Sequence, residues 1–164
     1  MFVLARALTY ATLFIGLLLV FLPARVLDSA GIRAPATIGP VQVAGAVMAA
    51  AGALLALACI LTFVFVGKGT PAPFDPPRRM VAAGPYRFVR NPMYAGAGLA
   101  LLGAAVYCGS WELGGYAAGF LLVTHLFVVA YEEPHLRRLF GADYERYCSV
   151  TPRWLPRRRT RTGS

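Results

Sequence analysis

Apolar residues are gathered into four long runs, separated by short polar stretches. The runs cover residues 4–22, 41–66, 92–108 and 113–131. A helix needs about 20 apolar residues to cross roughly 30 Å of hydrocarbon, so the pattern predicts about four transmembrane helices. The run at 92–108 is the shortest, and three spans with one re-entrant helix are the competing interpretation.

Composition favours a membrane protein over a soluble one. Hydrophobic residues make up 58% of the 164 positions and charged residues only 14%, whereas a soluble domain carries about 25% charge. We therefore predict an all-α, polytopic membrane bundle with one domain over residues 1–156 and a basic, disordered tail at 157–164. The first run lacks a clear cleavage site, so it is expected to be an uncleaved span rather than a secretory signal.

Basic residues lie mainly in two places. Five occur between the second and third runs and eight follow the fourth, while the connection between the third and fourth has none. By the positive-inside rule, we expect a multi-pass protein of the bacterial inner (plasma) membrane with both termini cytoplasmic; Arg25 and Arg33 then lie outside. The net charge of +9 suits anionic lipid headgroups, so membrane lipids, not nucleic acid, are the expected partners.

Small residues in the second run indicate close helix packing. Gly45 and Gly52 are seven positions apart, so they share a helix face on which another backbone can approach. The cysteines Cys59, Cys108 and Cys148 are too far apart for a zinc or disulfide framework, and no metal site is expected. Cys59 and Cys108 are interpreted as apolar packing residues.

Two dense polar clusters, residues 84–94 and 131–141, stand at the two ends of the last pair of apolar runs. Two spanning helices joined as a hairpin begin and end on the same side of a membrane. The topology therefore predicts that Tyr94 and Glu132 face one pocket on the cytoplasmic side, although 38 positions separate them.

The first cluster leads directly into the third run. Asn91 is a predicted N-cap, Pro92 suits the first helical position, and the free N–H groups beyond them favour an anionic ligand. Capping alone also explains this pair. Upstream, residues 67–79 are rich in proline and predict an extended strap that either covers a cavity or simply connects two spans.

The second cluster places two carboxylates at the membrane boundary, where ionised groups are usually partnered. We expect one of Glu132 and Glu133 to turn to water and the other to face inward, because adjacent helical residues point about 100° apart. His125, seven residues before Glu132, either satisfies a helix–helix hydrogen bond or serves the site. Residues 132–147 predict an amphipathic interfacial helix with a bend near Pro134.

Together the two clusters resemble the membrane-embedded methyltransferases that include isoprenylcysteine carboxyl methyltransferase and phospholipid N-methyltransferase. The resemblance covers about residues 67–156. In the first cluster it rests on Gly84, Tyr86, Arg90, Asn91, Pro92, Tyr94 and Gly96. In the second it rests on Glu132, Glu133, Leu136, Phe140, Gly141, Tyr144, Tyr147, Pro152 and Pro156.

The resemblance implies S-adenosylmethionine as the methyl donor, bound on the cytoplasmic side. By position, donor contacts fall on Arg78, Arg79, Met80, Val81, Tyr86, Asn91, Pro92, Met93, Tyr94 and Glu132. Glu132 suits the ammonium group of the donor, and Tyr86 or Tyr94 suits its sulfonium or adenine. Arg90 and His125 are the candidate acceptor-binding residues. No catalytic residue is assigned beyond His125 as a base for an amine or neutral thiol.

The acceptor is expected to be a small or lipophilic carboxylate, thiol or lipid amine. Two differences from the prenylcysteine enzymes weaken a prenylcysteine carboxylate as the acceptor. Position 91 is asparagine where those enzymes generally carry histidine, and Val128 stands where they have an arginine that binds the substrate carboxylate. The alternative from another class is a non-catalytic membrane adaptor or transport accessory protein on the same scaffold, although an adaptor has no need for both polar clusters. Oligomeric state is not predicted.

Overall fold

The computed structural model describes residues 16–32, 35–67 and 80–156, and within these ranges the chain has no strand. A 3-10 helix at Gly84–Arg87 precedes the third of six α-helices. The α-helices in the described ranges are α1 (Leu22–Ser29), α2 (Pro40–Thr62), α3 (Pro92–Cys108), α4 (Trp111–Phe127), α5 (Glu133–Phe140) and α6 (Ala142–Val150). The all-α prediction is confirmed. The predicted proline-rich strap, the basic tail and most of the first apolar run lie outside the described residues.

Within the described part of the chain, three π-helical segments extend the α-helices, at Gly16–Phe21, Phe63–Gly67 and Val128–Glu132. Two of them are followed within two residues by a proline, Pro23 and Pro134. Proline lacks an N–H group and its ring clashes with the carbonyl four residues earlier in an α-helix, and the wider π turn makes room for it. The π segment Gly16–Phe21 and α1 form one continuous helix, called the first helix below, which ends at Ser29. The predicted end of this run at residue 22 is therefore wrong.

Among the residues that the structure describes, two helices are long and apolar enough to cross a membrane, Pro40–Val66 and Trp111–Phe140. The second runs past the predicted end at residue 131 because the π turn carries it across Pro134. Helix α3 has 17 residues and a length of about 26 Å, short of the roughly 30 Å of a hydrocarbon core. Four spans are therefore not confirmed.

The outer surface of α2 is apolar. Its exposed large side chains include Val41, Val43, Val47, Leu54, Leu57 and Leu61. A monomeric soluble protein rarely exposes so large a continuous apolar surface to water, whereas lipid tails accept it without penalty. The fold is that of a membrane protein.

Glycines allow α2 and α3 to pack in backbone contact. A Cβ atom on Gly52 would lie 2.4 Å from the Ala100 nitrogen, and one on Gly103 would lie 2.3 Å from the Ala49 nitrogen. Gly45 makes an equally close approach to Tyr107. The predicted packing role of Gly45 and Gly52 is confirmed. On the facing side, α3 contributes a second pair of glycines seven residues apart, Gly96 and Gly103, which approach the backbone of α2.

A tight turn joins α3 to α4. Gly109 takes a left-handed conformation with φ of 63°, and the Ser110 side chain caps α4 by accepting from the Leu113 N–H. The hairpin therefore returns promptly toward the start of α3. After the hairpin, the prediction of a single amphipathic helix over residues 132–147 is wrong, because Gly141, with φ of 52°, separates α5 from α6.

Candidate functional site

The 3-10 turn before α3 is held closely against the end of α2. Gly84 has φ of 55°, and a Cβ atom there would lie 2.7 Å from the Thr62 hydroxyl oxygen. This approach places Tyr86 in a buried cluster with Cys59 and Val81. The packing role predicted for Cys59 is confirmed, since its side chain is fully buried.

Tyr86 is a core residue in this arrangement. Its ring meets Phe63 edge-on with centroids 5.0 Å apart, and Met93 packs against the same cluster. Burial raises the pKa of Tyr86 well above its usual value, so the hydroxyl is protonated at neutral pH. Its backbone carbonyl accepts a hydrogen bond from the Tyr147 hydroxyl, so α6 is fastened to the turn.

Asn91 stands at the N-cap position of α3, but its side chain does not cap the helix. Instead the amide nitrogen Nδ2 donates to the Arg153 carbonyl over 3.2 Å. The expectation that Asn91 accepts from the first N–H groups is therefore wrong, because a carbonyl 62 positions away binds its amide. The N–H groups of Met93 and Tyr94 have no side-chain cap.

The hairpin brings the two polar clusters together. The Tyr94 hydroxyl donates to Glu132 Oε2 over 3.1 Å, so the two side chains meet as the hairpin topology predicts. Tyr94 lies in the first turn of α3 and Glu132 ends the π turn of the returning helix. The N-terminal end of α3 and the acidic pair, Glu132 and Glu133, thus form two adjacent walls of the candidate site.

The π turn sets the orientation of the acidic pair. The Glu133 N–H donates to the carbonyl of Val128, five residues back, and Val128 itself is fully buried. One extra residue in a turn rotates the residues after it by about 100° relative to a continuous α-helix. The seven-residue spacing therefore does not keep His125 and Glu132 on one face, and the two have different partners.

Glu133 lies at the centre of an ion-pair network. The guanidinium of Arg153 binds it through two hydrogen bonds, Nε to Oε1 at 2.7 Å and Nη2 to Oε2 at 2.8 Å. Arg90 approaches Oε1 to 3.3 Å and also donates to the Cys148 sulfur. Glu133 is only 5% exposed, and Glu132 is partly buried with its Oε2 bonded to Tyr94. Neither carboxylate of the pair turns fully to water, as one of them was expected to do.

Electrostatics favour the charged state of this network. The hydrogen bond to Glu133 raises the pKa of Arg153 further above its usual range. A buried carboxylate needs partners of this kind because desolvation of an unpaired charge costs several kcal/mol. Arg90, predicted to bind substrate, has its guanidinium directed to Glu133 in the structure.

His125 contacts the C-terminal segment rather than the acidic pair. The Trp154 indole Nε1 donates to His125 Nδ1 over 3.1 Å, and the ring centroids are 5.9 Å apart. Nδ1 is therefore the acceptor nitrogen of the neutral ring, and Nε2 carries the hydrogen and can donate to another partner.

An apolar cavity of about 640 Å³ adjoins the Tyr94–Glu132 pair. Its walls come from the first helix, the start of α3 and the middle of α4. The lining residues are Leu18, Leu22, Met93, Tyr94, Tyr116, Gly119, Phe120, Val123, Thr124 and Phe127. Tyr94 therefore belongs to both places, with its ring on the cavity and its hydroxyl on Glu132.

A hydrogen bond closes one side of this cavity. The Tyr116 hydroxyl donates to the Leu18 carbonyl over 2.7 Å. In a π-helix this carbonyl would accept from the residue five positions on, and that residue is Pro23, which has no N–H. Tyr116 supplies the donor that the proline cannot.

The other sequence-predicted site residues are less central. Val81 is buried in the Tyr86 cluster, Met80 is partly exposed and Pro92 is fully buried. Arg78 and Arg79 lie outside the described residues. Sequence reasoning missed three residues with structural partners in or near the site: Arg153, Trp154 and Tyr116. The position of Arg153 and Trp154 between Pro152 and Pro156, two residues of the family pattern, was the signal that could have pointed to them.

Comparison with known families gives a match that covers the two polar clusters. The family model described as phospholipid methyltransferase matches residues 40–143, which is more than half of the chain. No curated protein matches the chain. The matched range contains α2, the turn at Gly84–Arg87, the whole α3–α4 hairpin, the acidic pair and α5.

Proposed function

The chain belongs to the phospholipid methyltransferase family, and on that premise we propose that it transfers a methyl group from S-adenosylmethionine to a lipophilic acceptor. The observation that carries the proposal is the hydrogen bond from Tyr94 to Glu132 at the wall of an apolar cavity. It joins the polar cluster before α3 to the acidic pair after α4, with room for an apolar molecule beside them.

The residues present fit the donor. A carboxylate at Glu132 suits an ammonium group, and a charge-assisted hydrogen bond of this kind is about twice as strong as a neutral one. The N–H groups of Met93 and Tyr94 have no side-chain cap, so they suit a carboxylate at a helix N-terminus. The family resemblance adds Arg78, Arg79, Met80, Val81, Asn91 and Pro92 to the proposed donor set, and Tyr86 as a residue that supports it from the core.

Of the two candidate tyrosines, Tyr94 is the better aromatic contact for a cation. Its ring lines the cavity, whereas the Tyr86 ring is packed against Phe63 in the core. Tyr86 acts in this proposal by shaping the floor on which Met93 rests.

When bound, the donor supplies an electrophilic methyl group on a sulfonium. The chain's own contribution is to hold the two reactants in near-attack geometry and to exclude water, which the apolar cavity favours. A carboxylate or thiolate acceptor needs no base. For an amine or neutral thiol we propose His125 as the base; the proton goes to Nδ1, the acceptor nitrogen of the neutral ring, in exchange for the hydrogen bond from Trp154.

Arg90 is proposed as a residue that holds Glu133 in place. The guanidinium of Arg90 lies 3.3 Å from Glu133 Oε1. Its positive charge is therefore already paired and does not bind the carboxylate of an acceptor. The acceptor is instead held by its apolar part, in the cavity between the first helix and α4.

The proposed setting is a multi-pass protein of the bacterial inner membrane with both termini and the donor site on the cytoplasmic face. The basic loop and tail support this orientation. A lipophilic acceptor would then reach the cavity laterally from the bilayer, while the water-soluble donor arrives from the cytoplasm.

The donor proposal is tested by titrating the detergent-purified protein with S-adenosylhomocysteine in a calorimeter. Saturable heat is expected from the wild-type protein and from Glu145→Gln, because Glu145 lies on an exposed surface pair with Arg137. Glu132→Gln should lose at least tenfold in affinity, since the ammonium partner is neutralised.

Absence of heat from the wild-type protein would contradict the enzyme proposal and favour a membrane adaptor. Equal affinity in Glu132→Gln and Glu145→Gln would instead remove Glu132 from the donor site. The acceptor class is read separately, by incubating radiolabelled donor with the protein and native membranes. Label in extracted lipid indicates an amine, volatile thioether a thiol, and base-labile ester a carboxylate.

A further inference from the structure

One residue outside both polar clusters touches both walls of the proposed donor site. The Arg153 carbonyl accepts from the Asn91 backbone N–H at 3.3 Å and from Asn91 Nδ2 at 3.2 Å. The Arg153 guanidinium makes its paired hydrogen bonds to Glu133 at 2.7 and 2.8 Å. Its backbone thus holds the start of α3 and its side chain holds the acidic pair.

We infer that Arg153 is a positioning residue that fixes the spacing between the α3 N-terminus and Glu132. The inference rests on the proposed function, in which the donor bridges these two walls. Glu132 is the neighbour of Glu133 on the helix, so a shift of Glu133 moves Glu132 relative to Tyr94. Arg153 itself contacts neither reactant in this scheme.

The geometry explains why arginine serves here. A planar guanidinium binds a carboxylate through two parallel hydrogen bonds and thereby fixes orientation as well as distance. Lysine is a point charge on a flexible stem, so it can keep the charge but not the paired geometry. Glu133 is buried, which protects the pair from the screening that weakens exposed ion pairs.

The residues beside Arg153 keep its backbone in place. The Pro152 carbonyl accepts from the Arg90 N–H at 2.9 Å, and the Trp154 indole donates to His125. The segment 152–154 is therefore attached to the turn before α3, to the acidic pair and to α4. Loss of the guanidinium pair alone should loosen one attachment and leave the fold intact.

The test compares Arg153→Lys with Arg137→Lys by calorimetric titration with S-adenosylhomocysteine. Arg137 makes an exposed ion pair in which both side chains are more than half accessible, so it is a matched control for loss of an arginine. We expect Arg153→Lys to bind about tenfold more weakly and Arg137→Lys to bind like the wild-type protein.

Glu133→Gln breaks the same bridge from its other end and keeps the inference testable if one variant folds poorly. Each single variant should weaken binding, and the double variant Arg153→Lys/Glu133→Gln should bind no more weakly than the worse single one. In methyl-transfer assays, the KM for the donor should rise while the KM for the acceptor stays unchanged.

Three results would decide the matter. Wild-type heat together with unchanged affinity in Arg153→Lys would overturn this inference alone. Additive losses in the double variant would show that Arg153 does not act through Glu133 and would also overturn it. No heat from the wild-type protein would overturn the proposed function, and this inference with it.

Discussion

Replacing Gly103 by alanine should separate the two helices that pack most closely. The new Cβ atom would lie 2.3 Å from the Ala49 nitrogen and 2.7 Å from the Gly45 carbonyl oxygen. Both neighbours are backbone atoms, so no side chain can turn aside. Ordinary contact begins at 3.4 Å, and α2 and α3 must therefore move apart by about 1 Å.

The expected cost arises from two opposing effects. Overpacking of this kind costs about 1–3 kcal/mol, whereas alanine in place of glycine favours a helix by about 1 kcal/mol. Gly115→Ala is the matched control, because Gly115 lies in α4 and has nothing within 4 Å of its Cβ position. Both variants gain the same propensity, so the difference between them, about 1–3 kcal/mol, measures the clash.

The assay is unfolding by SDS in mixed micelles, monitored by circular dichroism. Gly115→Ala should unfold at the wild-type SDS fraction or above it, and Gly103→Ala clearly below. If the two variants unfold together, the helices are not in backbone contact in solution and the packing argument fails.

Two further predictions concern α6 and the segment that follows it. Burial raises the pKa of Tyr147 above the value of about 10 that an unfolded tyrosine has, so the folded protein keeps a proton that the unfolded chain loses. The contribution of Tyr147 to stability should be constant below pH 10 and fall above it, so that stability falls less steeply in Tyr147→Phe than in the wild-type protein, as measured by unfolding at pH 8 to 11. Trp154→Phe keeps the ring beside His125 but removes the indole N–H; it should destabilise the protein by about 1 kcal/mol in the same assay, and wild-type stability would show that the hydrogen bond is not formed.

The broad arrangement could be predicted because it depends on apolar runs and topology. The second apolar run predicts a span at 41–66, and the helix covers Pro40–Val66. The meeting of Tyr94 with Glu132 required only that two helices form a hairpin. Both inferences need only the lengths of the apolar runs and their order along the chain, which the sequence shows directly.

The detailed site could not be predicted because long-range partners decide it. Asn91 reads as a helix cap, yet its amide binds a carbonyl 62 positions away. The sequence could not say which of Glu132 and Glu133 faces inward, because two arginines from different parts of the chain bind Glu133. The length of a helix across Pro134 was equally hidden, because nothing in the local sequence distinguishes a π turn from a break.

The bridge at Arg153 also has a consequence for biosynthesis. The chain leaves the ribosome from its N-terminus, and the helices that carry Asn91 and Glu133 emerge before residue 153 does. Until then Glu133 has only Arg90 as a partner among its observed contacts. The hairpin can enter the bilayer early, but its two polar ends acquire their final spacing only after residue 153 has emerged.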